Sequence, residues 1–125
     1  MGEQRKGYSL EGQKAILTSW TIQMKWTWVK TYCEEASAKD MNREKFQEMI
    51  IDAKNGLFDG ICVVDSDRFS RSTKDMLTIM DDLLTYEVKL HIHNLQHINI
   101  YSEQGRFMLT NLAAFSEFFR GQLAT

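Results

Sequence analysis

The chain has 125 residues, the size of one domain, which is long enough to bury a single core. Hydrophobic residues make up 43% and charged residues 26% of it, and no apolar run approaches the roughly 20 residues that a membrane span needs. The net charge of -2 argues against a self-sufficient DNA-binding domain, because phosphate affinity is built from clustered Lys and Arg.

The N-terminal residues are charged and lack the apolar stretch of a secretory signal, so we expect a cytoplasmic protein. The two cysteines, Cys33 and Cys62, have no CxxC spacing. We therefore predict buried free thiols rather than a disulfide or a zinc pair.

The first half of the chain predicts two helices separated by a strand. Ser9 has the position of a helix cap, and the helix it opens is expected to run to about Ile22. Residues 25–33 alternate aromatic or branched with polar side chains, which is the period of a half-buried strand. After a polar loop, Asn42 is expected to cap a second helix that ends at the Asn-Gly pair of residues 55–56.

The second half predicts two strands and two helices. Residues 58–65 form an apolar run that suits a strand buried on both faces of a parallel sheet. A helix over residues 73–86 and a strand from Val88 follow, and a long apolar-rich helix spans residues 105–123. The apolar stripe of the helix at 73–86 consists of Met76, Leu77, Met80, Leu83 and Leu84. Helices and strands alternate throughout, which predicts a layered α/β fold.

The chemistry-bearing residues cluster directly after the predicted buried strand, in the segment VVDSDRFSRS of residues 63–72. The cluster contains Asp65, Asp67, Arg68, Ser70, Arg71 and Ser72. Ligands of open parallel sheets bind at the carboxyl ends of strands, and two arginines beside an acid suit a phosphodiester. A surface ion-pair cluster is an equally good interpretation of the spacing alone.

Four segments in order resemble the serine recombinases, a family of resolvases, invertases and phage integrases. DRFSRS at residues 67–72 is similar to the family signature DRLSRS. GYSLEGQ at 7–13, SAKDMNREKFQEM at 37–49 and QGRFMLTNLAAFSEFFR at 104–120 agree in order and spacing. The resemblance spans nearly the whole chain, and its GYS block is more typical of the large integrase branch. It implies a single catalytic-type domain over 1–125, with a resolvase-like fold, a mostly parallel sheet and a long C-terminal helix.

The resemblance also implies a reaction, in which a serine attacks the DNA backbone, forms a 5'-phosphoserine link and releases a 3'-hydroxyl before exchanged ends are rejoined. It implies no metal or other cofactor. By position, Arg68 and Arg71 match the clamp on the scissile phosphate, and Asp67 matches the acid toward the leaving hydroxyl. Three further positions match family residues that surround the same phosphate, namely Gln13, Arg43 and Arg120.

The nucleophile of the family is the clearest departure. It lies in a first strand reading YxRVST, whereas GEQ at residues 2–4 resembles only the end of the acidic stretch after that strand. We therefore expect the first strand and the nucleophile to be missing, and the isolated chain to be inactive. Ser9, Ser70 and Ser72 are the nearest substitutes, but Ser9 fits a helix cap and the other two match non-nucleophilic positions.

Other departures concern charge and targeting. Ala38 replaces a glycine, Asp65 stands where a lysine or tyrosine is common, and Phe119 replaces a glutamate beside Arg120. The negative charge of Asp65 would oppose a nearby phosphate. We expect no C-terminal DNA-binding domain in this chain, so the choice of a DNA site would come from elsewhere.

The histidines and tryptophans allow two interpretations each. His91, His93 and His97 could bind a metal, but ordinary strand and loop histidines are favoured because no cysteine or clear carboxylate partner is near. Base stacking is possible for Trp20, Trp26 and Trp28, although a place in the core is favoured.

The helix at residues 105–123 is more apolar than one buried face requires, which predicts a homodimer interface, as the family uses its long helix. Burial within its own domain is the alternative. Two functions follow: the catalytic module of a site-specific DNA recombinase of a mobile element, or a noncatalytic truncated relative that dimerises with an intact recombinase and regulates it.

Overall fold

Two parallel strands and the helices around them position the site. The computed structural model describes residues 9–33, 43–66, 69 and 73–111. Strand β1, Gly60–Val63, pairs in parallel with strand β2, Lys89–Ile92, and helix α3, Thr73–Leu84, makes the crossover between them. An apolar run produces β1 and an alternation of apolar and polar residues produces β2, both where the sequence predicts strands. The α/β fold with a parallel sheet is confirmed.

Helices cover both faces of the sheet. Ile61 and Leu90 lie side by side in the register and belong to the buried core together with three residues of α3. The α3 residues are Met76, Met80 and Leu83. Helix α2, Glu44–Lys54, adds Ala53 to the same core. The neighbouring His91 must point to the opposite face, because side chains alternate along a strand, and there its ring meets Trp20 of helix α1, Leu10–Met24.

The two N-terminal helices begin and end with identifiable caps. The Ser9 hydroxyl accepts a hydrogen bond of 3.0 Å from the Gly12 N–H, which confirms the predicted cap of α1. Helix α1 ends at Met24, two residues beyond the predicted Ile22, and is capped by Lys25 in the left-handed region at φ 61. Helix α2 ends as predicted at the Asn-Gly pair, where Gly56 adopts φ 84. Its N-cap is Arg43 at φ 42 instead of the predicted Asn42, which lies outside the described residues.

The predicted strand at residues 25–33 is wrong, since residues 26–33 form neither helix nor strand. A strand exists only when its backbone pairs with another, and in the described part of the chain β1 and β2 pair with each other alone. Side chains fix the segment instead. Trp26 packs its ring 4.6 Å from that of His91, while Val29 is 50% exposed.

A fourth helix, α4, starts at residue 103, two residues before the predicted start, and is described as far as residue 111. The Ser102 hydroxyl accepts from the Gly105 N–H at 3.0 Å and donates to the Asn99 carbonyl at 2.7 Å, so it caps the helix. Residues 112–123 of the predicted helix lie outside the described residues.

Ion pairs join the helices to one another at the surface. Lys54 of α2 contacts Asp82 of α3 at 2.7 Å, and Arg106 of α4 makes a two-pronged contact with Asp81 of α3 at 2.9 and 3.1 Å. The hydrogen bond to Asp82 raises the pKa of Lys54. Such exposed pairs contribute little stability, because water screens them. They fix which faces of the helices meet.

Two side chains are more exposed than the sequence predicts. Leu84 was expected in the buried stripe of α3 but is exposed at the last residue of the helix. Cys33 is exposed and Cys62 only partly buried, although both thiols are free as predicted. Among the described residues, no helix is long and apolar enough to cross a membrane.

Candidate active site

The chain turns sharply where β1 ends. Val64 is buried, and its carbonyl accepts a hydrogen bond from the Asn94 N–H at 3.0 Å. The Phe69 N–H donates to the Ser66 carbonyl at 3.0 Å, which closes the first turn of the loop. The carboxyl end of β1 is thus tied both to the segment after β2 and to the loop that follows, residues 64–72. This loop carries three of the six predicted site residues, namely Asp67, Arg68 and Arg71.

Phe69 fixes this loop to the core. Its side chain is fully buried, and its ring lies 5.3 Å from the Phe46 ring of α2 in an edge-on arrangement. Burying a phenylalanine removes a large apolar surface from water, which is worth about 1.5–3 kcal/mol. In the sequence Phe69 stands next to Arg68 and two residues before Arg71. The two predicted clamp residues therefore flank a buried phenylalanine in the sequence.

Arg43 reaches the same loop from the N-terminal end of α2. Its Nη1 donates a hydrogen bond of 2.9 Å to the Phe69 carbonyl, and its Cζ lies 4.1 Å from the centre of the Phe46 ring. The guanidinium plane can satisfy both contacts together, since it donates along its edge and stacks through its face. Arg43 is half-buried by this packing.

The other predicted site residues are placed as follows. Gln13 lies in the first turn of α1 with its side chain half-buried, and its N–H donates to the Ser9 carbonyl at 2.8 Å. Four predicted site residues lie outside the described part of the chain, as do Ser70 and Ser72. These four are Asp67, Arg68, Arg71 and Arg120. Of the predicted site residues that the structure describes, Arg43 is placed against the loop.

Two aromatic residues of the site were not singled out from the sequence as site residues. Phe46 was assigned only to the apolar face of its helix, and Phe69 was noted only as part of the DRFSRS signature. A signal existed, because a large apolar residue between two arginines in a polar loop is expected to be buried. Asp65, whose negative charge was expected to oppose a phosphate, is half-buried just beyond β1.

A second ionisable cluster lies on the opposite side of α2. Lys30 contacts Glu48 at 2.8 Å and Asp52 at 3.0 Å, and the Tyr32 hydroxyl donates to Asp52 at 2.5 Å. The hydrogen bond to Glu48 raises the pKa of Lys30, and those from Tyr32 and then Lys30 lower the pKa of Asp52. Lys30, Glu48 and Asp52 are thus held in their ordinary charged states. The cluster therefore ties residues 26–33 to α2 and is not poised for acid or base chemistry.

The pKa of Tyr32 is raised to about 12, first by burial and then by its bond to Asp52. The phenol thus stays protonated and keeps donating at neutral pH, which is consistent with a structural role for the cluster.

Two tryptophans and two histidines form a packed group on the sheet face that α1 covers. Trp20 is 4% exposed and lies edge-on to the rings of Trp26, His91 and His93 at 5.3, 6.4 and 5.1 Å. A base could not stack on Trp20, whose favoured place in the core is confirmed. The described residues contain no group of three or more His, Cys, Asp or Glu side chains that could hold a metal ion.

Trp28 departs from the favoured core interpretation. It is 37% exposed, and its indole N–H donates to the Thr31 hydroxyl at 2.6 Å. That bond folds the side chain back on its own segment.

Comparisons with known proteins identify the family and the fold of the chain. A family model described as "Resolvase, N terminal domain" matches residues 2–125. The crystal structure of the N-terminal catalytic domain of TP901-1 integrase superposes with a TM-score of 0.72 at 30% sequence identity, covering 97% of this chain and 90% of that one. No curated protein sequence gave a significant match.

Proposed function

We propose a function from the premise that this chain belongs to the serine recombinases and has a catalytic domain of the resolvase type. Within that family, we assign it to the cleavage and exchange of DNA strands at specific sites through a phosphoserine intermediate. The observation that carries this assignment is the loop after β1, where the signature DRFSRS is anchored by buried Phe69 and contacted by Arg43.

The chemistry assigned to the loop is a phosphoryl transfer. A serine hydroxyl attacks the phosphorus and its proton passes to water. The bond between phosphorus and the 3'-oxygen breaks, and that oxygen takes a proton from the protonated Asp67 carboxyl group. Arg68 and Arg71 bind the non-bridging oxygens and stabilise the charge that develops on them. Rejoining is the reverse attack by a 3'-hydroxyl on the phosphoserine. The proposed reaction uses no metal or cofactor.

Three further residues are assigned to the surroundings of the phosphate, namely Gln13, Arg43 and Arg120. For Arg43 the support is its position at the loop, 2.9 Å from the Phe69 carbonyl. The assignments of Gln13 and Arg120 are supported by their matching positions in the family blocks at residues 7–13 and 104–120.

We also propose that residues 1–125 act as one catalytic-type domain that dimerises through the helix predicted at 105–123. In the described part of this helix, Gly105 and Leu109 are buried while Phe107 is 71% exposed and Met108 is also exposed. A helix with apolar residues on both faces is expected to bury the second face on a partner. With a net charge of -2, this domain would hold DNA weakly by itself.

No serine of residues 1–125 lies in a YxRVST segment, so we propose that this chain does not by itself form the covalent link. Ser9 is committed to capping α1 through its bond with the Gly12 N–H. The second candidate function, a noncatalytic partner that regulates an intact recombinase, is favoured by the exposed apolar face of α4.

Two observations separate these functions. The coding DNA directly upstream of the Met1 codon either continues in frame with a stretch encoding YxRVS or does not. If it does, the extended product incubated with supercoiled substrate DNA should form a covalent 5'-phosphoserine adduct, and its Arg68→Ala variant should not. The 125-residue chain should give no adduct in the same assay. An adduct formed by this chain alone would contradict the proposal that it lacks a nucleophile.

A further inference from the structure

Arg43 contacts the backbone of the loop at Phe69 and the ring of Phe46. We propose that Arg43 is a positioning residue, which holds the loop of residues 64–72 in place through the Phe69 carbonyl, and does not act by charge alone. This role rests on the proposed function, because it concerns the loop assigned to the scissile phosphate.

The guanidinium is fixed in two directions at once. Its Nη1 donates to the Phe69 carbonyl at 2.9 Å, and its Cζ stands 4.1 Å above the Phe46 ring. Phe46 in turn meets the Phe69 ring at 5.3 Å and 69°. Arg43, Phe46 and Phe69 therefore form a closed set of three contacts. A lysine could not replace the arginine here, because an ammonium group is compact and lacks the planar stacking face.

The backbone of Arg43 supports the same interpretation. It adopts φ 42 at the N-cap of α2 and makes no side-chain capping bond there. A non-glycine residue in the left-handed region is uncommon, and such conformations persist where the surroundings hold them. The contacts with Phe69 and Phe46 are among the surroundings that hold Arg43.

The position of Phe69 in the chain makes this contact matter for the site. Its carbonyl belongs to the peptide group that it shares with Ser70, and Arg68 precedes it directly. A loop held at both the side chain and the carbonyl of one residue has its orientation fixed at that residue. Phosphate clamps depend on such placement, since a displacement of about 1 Å can cost a hundredfold in rate.

The first test needs no DNA. The carbonyl carbon of Phe69 and the amide nitrogen of Ser70 report the hydrogen bond, and their chemical shifts can be measured in isotope-labelled chain. We expect both chemical shifts to change in the Arg43→Lys and Phe46→Leu variants, and to remain at their wild-type values in Lys45→Gln. Lys45 is a matched control, because it is the exposed cation two residues along and its contact of 3.6 Å is with Glu48. Wild-type chemical shifts in a folded Arg43→Lys chain would overturn the positioning role. If Arg43→Lys does not fold, wild-type chemical shifts in Phe46→Leu would overturn it instead.

The second test separates position from charge. Binding of a short DNA duplex at low salt should weaken about tenfold in Arg43→Lys, which keeps the charge, and several-fold in Phe46→Leu, which changes no charge. Lys45→Gln should weaken binding by no more than about twofold. Wild-type affinity in both Arg43→Lys and Phe46→Leu would mean that charge alone matters, and would overturn the positioning role. If the wild-type chain shows no DNA binding, the chemical shifts alone decide the positioning role, and it is the proposed function that loses support.

Discussion

Tyr101 closes the outer edge of β2, where its hydroxyl accepts a hydrogen bond of 2.6 Å from the Leu90 N–H. The Lys89 N–H points toward β1, since it donates to the Asp59 carbonyl, so the next N–H along the strand points away from it. Replacing Tyr101 by Phe leaves the N–H of Leu90, a buried core residue, without this hydrogen-bond acceptor. We expect Tyr101→Phe to lower the free energy of unfolding by about 1–2 kcal/mol in urea titrations. Tyr86→Phe removes the same hydroxyl from a half-exposed ring and should change it by less than about 0.5 kcal/mol.

Gly105 lies against the turn before α4 with no room for a side chain. A Cβ at this position would stand 2.1 Å from the Asn99 carbonyl oxygen and 2.7 Å from the Ile100 Cα, both of which are backbone atoms. We expect Gly105→Ala to lower the free energy of unfolding by about 2–4 kcal/mol, because α4 must shift. Gly56→Ala is the control, since Gly56 has open space at φ 84 and should cost only about 1 kcal/mol of backbone strain. Equal losses in the two variants would show that α4 is not held against this turn.

His91 makes stability depend on pH. Burial, helped by the nearby charge of Lys89 and opposed by Asp59, lowers its pKa from the ordinary 6.5. The unfolded chain therefore binds a proton at a higher pH than the folded chain does. The stability contribution is complete above 6.5 and is lost as the pH falls from 6.5 through the lower folded pKa.

Unfolding by urea, measured between about pH 7.5 and about pH 5, should show this loss. Glu48 has a pKa lowered below 4.5 by Lys30, so its contribution disappears only at more acidic pH. The slope should flatten in His91→Gln and persist in His97→Gln, which changes an exposed histidine. A His91→Gln chain with the wild-type slope would rule out this histidine as the cause.

The exposed face of α4 predicts self-association. Phe107 is 71% exposed beside Met108, and aromatic residues at the centre of an interface carry much of its binding energy. We expect Phe107→Glu to weaken the dimer at least about tenfold in sedimentation equilibrium. Thr78→Glu places the same charge on an exposed residue of α3 and should leave association unchanged. A wild-type chain that stays monomeric at high concentration would contradict the dimer proposal.

Elements set by local patterns were predictable from the sequence. The apolar run that became β1 and the spacing of Met76, Met80 and Leu83 in α3 both follow from burial periodicity. The Ser9 cap was predictable because its hydrogen bond joins residues three apart.

Features that depend on distant partners were not predictable in this way. Residues 26–33 alternate like a strand, but pairing needs a second backbone that a local pattern does not specify. Likewise, Arg43, whose φ is 42, donates a hydrogen bond to a carbonyl 26 residues away in the sequence. The candidate site was predicted from its signature. The anchoring of that signature by Phe46 and Phe69 required the fold.

The most direct test of the central claim is a map of where DNA touches the chain. Isotope-labelled chain is titrated with a short duplex at low salt, and amide shift changes are recorded for wild type and for an Arg68→Ala, Arg71→Ala double variant. We expect the largest changes at residues 64–73 and at Arg43, and their loss in the folded double variant. Changes centred on another surface, or changes that survive in the double variant, would contradict the assignment of this loop to the scissile phosphate.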